Sequence, residues 1–120
     1  MKSFAVIPSP TSKFSAVVLS TGIELPQTHL DGLVDELRKH QVCGEVIFDL
    51  LTSNGSRTRR FFSSSFDGEK FLKPPLFSQV CPEEDVRKAS ALYLRDHLPD
   101  FDLSLLTPAM RFAVQKGIPL

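Results

Sequence analysis

The apolar residues of this chain fall into short blocks whose period changes along the sequence, and each change marks an element. Phe4 to Ile7 is a brief run stopped by Pro8 and Pro10 and reads as a strand; Phe14 to Ser20 (FSAVVLS) reads as a second. A Ser/Pro/Thr loop joins the two, and adjacency suggests antiparallel pairing. After a connection from Thr21-Gly22 to Pro26-Gln27 the period becomes helical, with Leu30, Leu33, Val34 and Leu37 at i, i+3, i+4 and i+7. Thr28 can act as N-cap, Asp31 stands three residues on in a capping-box-like position, and Asp35, Glu36, Arg38 and Lys39 take the opposite face. This predicts a half-buried surface helix ending near His40. Gly32 inside it costs about 1 kcal/mol relative to alanine and offers a place for close packing on a sheet.

The centre of the chain is Gly44 to Phe66, GEVIFDLLTSNGSRTRRFFSSSF. Two runs rich in β-branched and aromatic residues flank Asn54-Gly55, a pair that tolerates the positive φ of a two-residue type I′ turn. That turn sets Phe48 against Phe61, Ile47 against Phe62, Asp49 against Arg60 and Leu50 against Arg59. Apolar side chains then meet one another and an acid meets a base, which cross-strand energetics favours. A slip of one residue would turn the faces over.

Beyond this hairpin, Asp67-Gly68 signals a turn, with Lys70 to Leu72 returning as a short strand beside Ser64 to Phe66 before Pro74-Pro75 stops it. Pro82 suits the first turn of a helix, and Glu83, Glu84 and Asp85 place negative charge at the positive end of its dipole. Val86, Ala89, Ser90, Tyr93, Leu94 and His97 trace one face, and Leu98-Pro99 closes it. Phe101 to Leu106 is apolar without a clear period, either strand or packed coil. A short last helix starts at Thr107-Pro108 and stops at Gly117, a C-cap residue, ahead of Pro119. The order is ββαββ(β)αα. Hairpins rather than βαβ alternation predict one α+β domain over residues 1–120, an antiparallel sheet of about four to five strands with about two to three helices packed on it.

Composition narrows the class of partner. Hydrophobic residues make up 42% and charged residues 23%, a balance that fits a globular chain rather than a disordered one. Fourteen basic residues offset fourteen acidic ones, so no global field attracts nucleic acid or an anionic membrane. No apolar run approaches the roughly 20 residues that span a bilayer, and Pro8 interrupts the N-terminal run before a signal-peptide core forms. Cys43 and Cys81 do not make a disulfide framework and fit a reducing compartment, so a cytosolic location is expected.

Candidate chemistry is sparse. His29, His40 and His97, with the two cysteines, match no recognised zinc spacing, and no third group orients a Cys–His pair for nucleophilic catalysis. Buried or half-buried thiols and solvent-facing imidazoles are the simpler expectation. A phosphate-cradling glycine loop and a paired-carboxylate motif are both missing, and Asp100 and Asp102 read as solvating residues. These residues predict no enzyme, no cofactor and no metal.

Three features could bind a partner. Arg57, Arg59 and Arg60, followed by Phe61 and Phe62, could hold RNA through phosphates and stacked rings, or anchor an acidic protein surface, or form a solvated hairpin tip over a buried aromatic pair. The pleat separates Arg57 and Arg59 from Arg60. Ser63-Ser64-Ser65 is either a flat edge for a partner strand or a weak, exposed strand. Glu83, Glu84 and Asp85 could face a basic groove, or simply charge the helix start.

The segment Gly44-Glu45-Val46-Ile47-Phe48-Asp49-Leu50-Leu51, then Asn54-Gly55, with Arg60-Phe61 beyond the turn, resembles the RnlB-like antitoxins of RNase LS-type systems. Ala16 to Gly22 and Leu106-Thr107-Pro108 are similar to segments of that family at comparable places. The resemblance implies an antitoxin of a bacterial type II toxin–antitoxin, phage-defence system. It would be cytoplasmic and free of catalysis, and would neutralise a cognate HEPN-like endoribonuclease toxin by direct binding as a hetero-oligomer. Arg57, Arg59, Arg60, Glu83 and Glu84 are then the expected partner-binding residues. The alternatives are a small RNA-binding module using the same arginines, and a non-catalytic subunit of a larger complex.

Overall fold

The computed structural model describes residues 4–20, 30–51, 59–72, 76–77, 83–97 and 108–118. Within them the elements run β1 (Phe4–Pro8), β2 (Ala16–Ser20), α1 (Leu30–Lys39), β3 (Gly44–Leu51), β4 (Arg59–Phe66), β5 (Leu76–Phe77), α2 (Glu83–Asp96) and α3 (Pro108–Lys116). The order is the one the periodicity predicts, and the α+β class holds. The turn at Asn54-Gly55, the caps at Thr28 and Pro82, Pro74-Pro75, the stop at Leu98-Pro99 and the run from Phe101 to Thr107 lie outside the described residues.

The sheet is mixed rather than antiparallel. Its order is β1-β2-β3-β4-β5, and β2 pairs with β3 in parallel, Ala16 opposite Val46 and Ser20 opposite Leu50. Parallel neighbours need a crossover, and α1 stands between these two strands in sequence. The other pairs are antiparallel, β1 with β2 as adjacency suggests. A sequence signal for the parallel pair does exist. All five residues of β2 are buried, as a central strand covered on both faces requires, and its apolar residues run without alternation.

Helices cover the sheet on both sides. On one side Leu33 and Leu37 of α1 pack with Val18, Val46, Phe48 and Phe66. On the other, Val86 of α2 packs with Val17, Ile47 and Phe61, while Leu94 of α2 and Val114 of α3 pack with Leu19 and Ala5. Each large side chain so buried contributes about 1.5–3 kcal/mol. Of the face expected for α2, Val86, Ser90 and Leu94 are buried and Ala89 and Tyr93 half-buried, but His97 is exposed. Its ring stacks on Tyr93 at 4.0 Å instead, with Nδ1 3.0 Å from the Tyr93 carbonyl oxygen.

The β3–β4 register differs by one residue from that of a two-residue turn. Phe48 faces Phe62, Asp49 faces Phe61, Leu50 faces Arg60 and Leu51 faces Arg59. Because Phe61 and Phe62 are neighbours, either register sets a phenylalanine opposite Phe48, so the matching of apolar pairs does not discriminate. The observed register moves Asp49 away from Arg60 and gives it a partner from outside the hairpin. Ser90 Oγ on α2 donates to Asp49 Oδ2 at 2.6 Å, with both residues buried.

The strand expected at Lys70 to Leu72 is reduced to a single bridge, Phe66 to Phe71, and pairing resumes only at β5. The Asp67 turn takes up the backbone there: Oδ1 accepts from the N–H groups of Glu69 and Lys70, each at 2.8 Å. Phe71 then inserts its ring between Phe66 (5.2 Å between centroids) and Phe48 (5.8 Å).

Two helix ends close by the same device. At α3, Gly117 (φ 70°) bonds back to Val114 and Ile118 to Ala113, the Schellman closure that its glycine predicts. At α1, Val42 bonds to Leu37 and Gln41 to Arg38, but the left-handed residue is Gln41 (φ 57°), not a glycine. The glycine inside α1 plays no packing role: a methyl group at Gly32 would meet nothing within 4 Å, so the close approach expected there is not made. Gly44 is the tight position. It has φ 123°, and a Cβ there would stand 2.5 Å from Ser15 Oγ, which donates to the Cys43 carbonyl.

Candidate partner-binding surface

The arginines enter the fold on the first residues of β4. Arg59 stands opposite Leu51 and Arg60 opposite Leu50 in the ladder, at the far end of the β3–β4 pair from Gly44 and Phe66. Arg57 lies outside the described residues. Glu83 opens α2, and Glu84 and Asp85 follow as exposed residues of its first turn. The strand and the helix that carry the two groups share a core cluster. Phe61, the residue after Arg60, and Val86, one residue past Asp85, belong to one buried cluster with Val17 and Ile47. Phe61 and Val86 thus tie β4 and α2 to the same face of the sheet.

Asp49 and Ser90 fix how α2 sits. A carboxyl and a hydroxyl buried against the same strand pair lock α2 in rotation and along its axis, since a shift of one residue would break the 2.6 Å bond. Among sequence signals, only the placement of Ser90 on the apolar face of α2 hinted at this contact.

The serine run is not an open edge. Ser63 pairs with Leu76, the Ser65 carbonyl accepts from the Leu72 N–H, and Ser64 is buried. Elsewhere the chemistry is thin. Cys43 is exposed, contrary to the expected burial, because it precedes the Gly44 opening of β3 rather than lying within it. His40 is exposed and 3.8 Å from Glu36 on the solvent side of α1; Cys81 and His29 lie outside the described residues. Among the described residues no three His, Cys, Asp or Glu side chains are grouped to hold a metal ion, and no helix is long and apolar enough to cross a membrane. The Lys70 and Glu69 backbone N–H groups hold the Asp67 carboxyl below its ordinary 3.8, but this aspartate serves a turn.

The stretch that contains all of these features, residues 15–107, matches the family described as the antitoxin to bacterial toxin RNase LS or RnlA. The chain belongs to this family. It is also similar to antitoxin LsoB of Escherichia coli O157:H7, 32% identical over 106 residues, which is 87% of this chain and 84% of that one. The matched portion of this antitoxin begins at Ser15, runs through β2, α1, β3, β4, β5 and α2, and ends one residue before α3. The hairpin strands, the acidic helix start and the Asp49–Ser90 contact all fall inside it.

Proposed function

We propose that this antitoxin neutralises a cognate HEPN-like endoribonuclease toxin by binding it directly, as a single non-catalytic cytoplasmic domain that forms a hetero-oligomer with its target. In that role it would restrain a phage-defence nuclease. What supports the reading is the family match over residues 15–107, a stretch that holds both the arginines of the β3–β4 segment and the acidic start of α2. Arg57, Arg59 and Arg60 reach for acidic or polar groups of the toxin, and Glu83 and Glu84 for basic ones. Charges of both signs fix the orientation of a partner better than either sign alone.

The test is growth rescue and complex formation with an RNase LS-type toxin. Replacing Arg57, Arg59 and Arg60 together by alanine is expected to lose rescue, since a central arginine anchor is worth on the order of 2 kcal/mol. Unchanged rescue by a folded triple variant refutes the assignment of these residues. RNA recognition by the same arginines makes a different prediction, a gel shift with generic RNA that weakens steeply with salt.

A further inference from the structure

The strand order ends at β1 on one side and at β5 on the other. An edge strand offers a row of backbone donors and acceptors, and natural chains blunt such rows with charge, bulges or brevity. β5, two residues long, is blunted by brevity. β1 is not: its five residues, Phe4 to Pro8, hold no charged side chain and pair with β2 in unbroken register.

The hairpin end of β1 shows which of its backbone groups face outward. The Ser9 N–H donates to the Ser15 carbonyl at 2.8 Å, on the β2 side. Peptide groups alternate along an extended strand, so Ile7 and Ala5 also bond inward, while Val6 and Phe4 direct their N–H and C=O groups away from β2. Pro8 belongs to the outward set, where its missing N–H costs the ladder nothing. Among the described residues no strand or turn takes up these outward groups. The side chains alternate as well. Phe4 and Val6 lie on the α1 face with Leu33 and Leu37, and Ala5 and Ile7 on the opposite face with Leu94 and Val114.

We propose that β1 pairs antiparallel with β1 of a second copy of this chain, joining two sheets into one across a two-fold axis at Ala5. This register sets Phe4 opposite Val6 of the other copy on the α1 face, and Ala5 opposite Ala5 on the other face, so apolar residues meet in matching layers. Both Phe4–Val6 pairs exchange N–H and C=O bonds, and neither asks Pro8 for a donor. The register centred on Val6 is worse, because it sets Phe4 against Pro8 and leaves the Phe4 carbonyl without a bond. The occupant is a second copy because the strand is its own complement in both layers, and a chain of zero net charge meets itself without repulsion. The pairing stands apart from toxin binding; a paired antitoxin presents any toxin-binding surface twice.

The experiment follows the full chain by sedimentation over a concentration series and by amide hydrogen exchange. A strand pair this short is expected to dimerise weakly, with a Kd on the order of 10 μM. Well above that concentration the Val6 amide is expected to exchange about tenfold or more slowly than in dilute protein, while the Ala5 and Ile7 amides, bonded to β2 throughout, are unchanged. With Cys43 and Cys81 replaced by serine, Ala5→Cys is expected to form a disulfide-linked dimer on mild oxidation, since a non-bonded antiparallel pair has Cα atoms about 4.5 Å apart. Ile7→Cys is expected not to, because its two copies would stand about 14 Å apart along the strands. Phe4→Pro removes an outward N–H, keeps the β2 ladder and is expected to raise the Kd about tenfold or more. A chain that stays monomeric at every concentration, or dimerises without slowing the Val6 amide, overturns the proposal, and wild-type exchange decides this should a variant fail to fold. Equal cross-linking of Ile7→Cys and Ala5→Cys overturns it too. Val6 protection that appears only when an RNase LS-type toxin is added also overturns it, in favour of a toxin strand as the occupant.

Discussion

The two sides of the sheet are built differently. The α1 side is one continuous apolar cluster in which Leu33, Leu37, Phe48 and Phe66 pack around the bridge to Phe71. The α2/α3 side is divided into two smaller clusters, carries the buried Asp49–Ser90 bond, and leaves Leu92 and Phe112 exposed. The difference separates two duties. A crossover helix between parallel strands must be buried against them and has little freedom to do anything else. Helices added after the sheet is complete can leave surface for a partner, provided a specific polar contact fixes where they sit. On this view the α1 side sets stability, and the α2/α3 side sets what is recognised.

The strongest way to break that division is to cut into the α1 side. Phe66→Ala removes a side chain that is 1% exposed and is expected to cost about 3–5 kcal/mol in urea unfolding, enough to threaten a domain of ordinary stability. Ser90→Ala is next. It strips a hydrogen bond from a fully buried carboxyl and is expected to cost on the order of 1–3 kcal/mol, with toxin affinity falling beyond what the lost stability explains because α2 loses its register. A larger stability loss from Ser90→Ala than from Phe66→Ala would reverse the assignment of duties.

Smaller effects sharpen the comparison. Gly32→Ala meets open space on α1 and is expected to stabilise by about 1 kcal/mol without altering toxin binding. Gln41→Gly relieves a left-handed glutamine and is expected to raise the denaturation midpoint by a comparable or smaller amount, about 1 kcal/mol at most. If either change weakens toxin binding, the α1 side is not confined to stability. The smallest effect concerns pH. The folded Asp67 carboxyl titrates below its ordinary 3.8, so its charged form favours the native state. That contribution is complete above the ordinary value and disappears as pH falls through the lowered one. In Asp67→Asn, acid unfolding curves are expected to lose this part of their slope and keep the rest.

Local patterning carried a long way. Element order, the α1 and α3 spans and the glycine closure at Gly117 follow from periodicity and turn chemistry, and the antiparallel β1–β2 pair from adjacency in the chain, because these depend on near neighbours. The resemblance to the antitoxin family rested on the β3–β4 segment, and the family match spans it. What local patterning could not decide was any choice between near-equal partners across the sheet. Adjacent phenylalanines at 61 and 62 fit either register, and the outcome followed Asp49, whose partner Ser90 lies 41 residues away. The parallel pairing of β2 with β3, the joining of the arginine strand to the acidic helix through Phe61 and Val86, and the outward placement of Phe112 are likewise tertiary. The sequence by itself determined which segments form strands and helices, since backbone conformation is settled by short-range sterics and spacing. Only packing decided which faces meet, because that is a competition among distant apolar surfaces that no single segment contains.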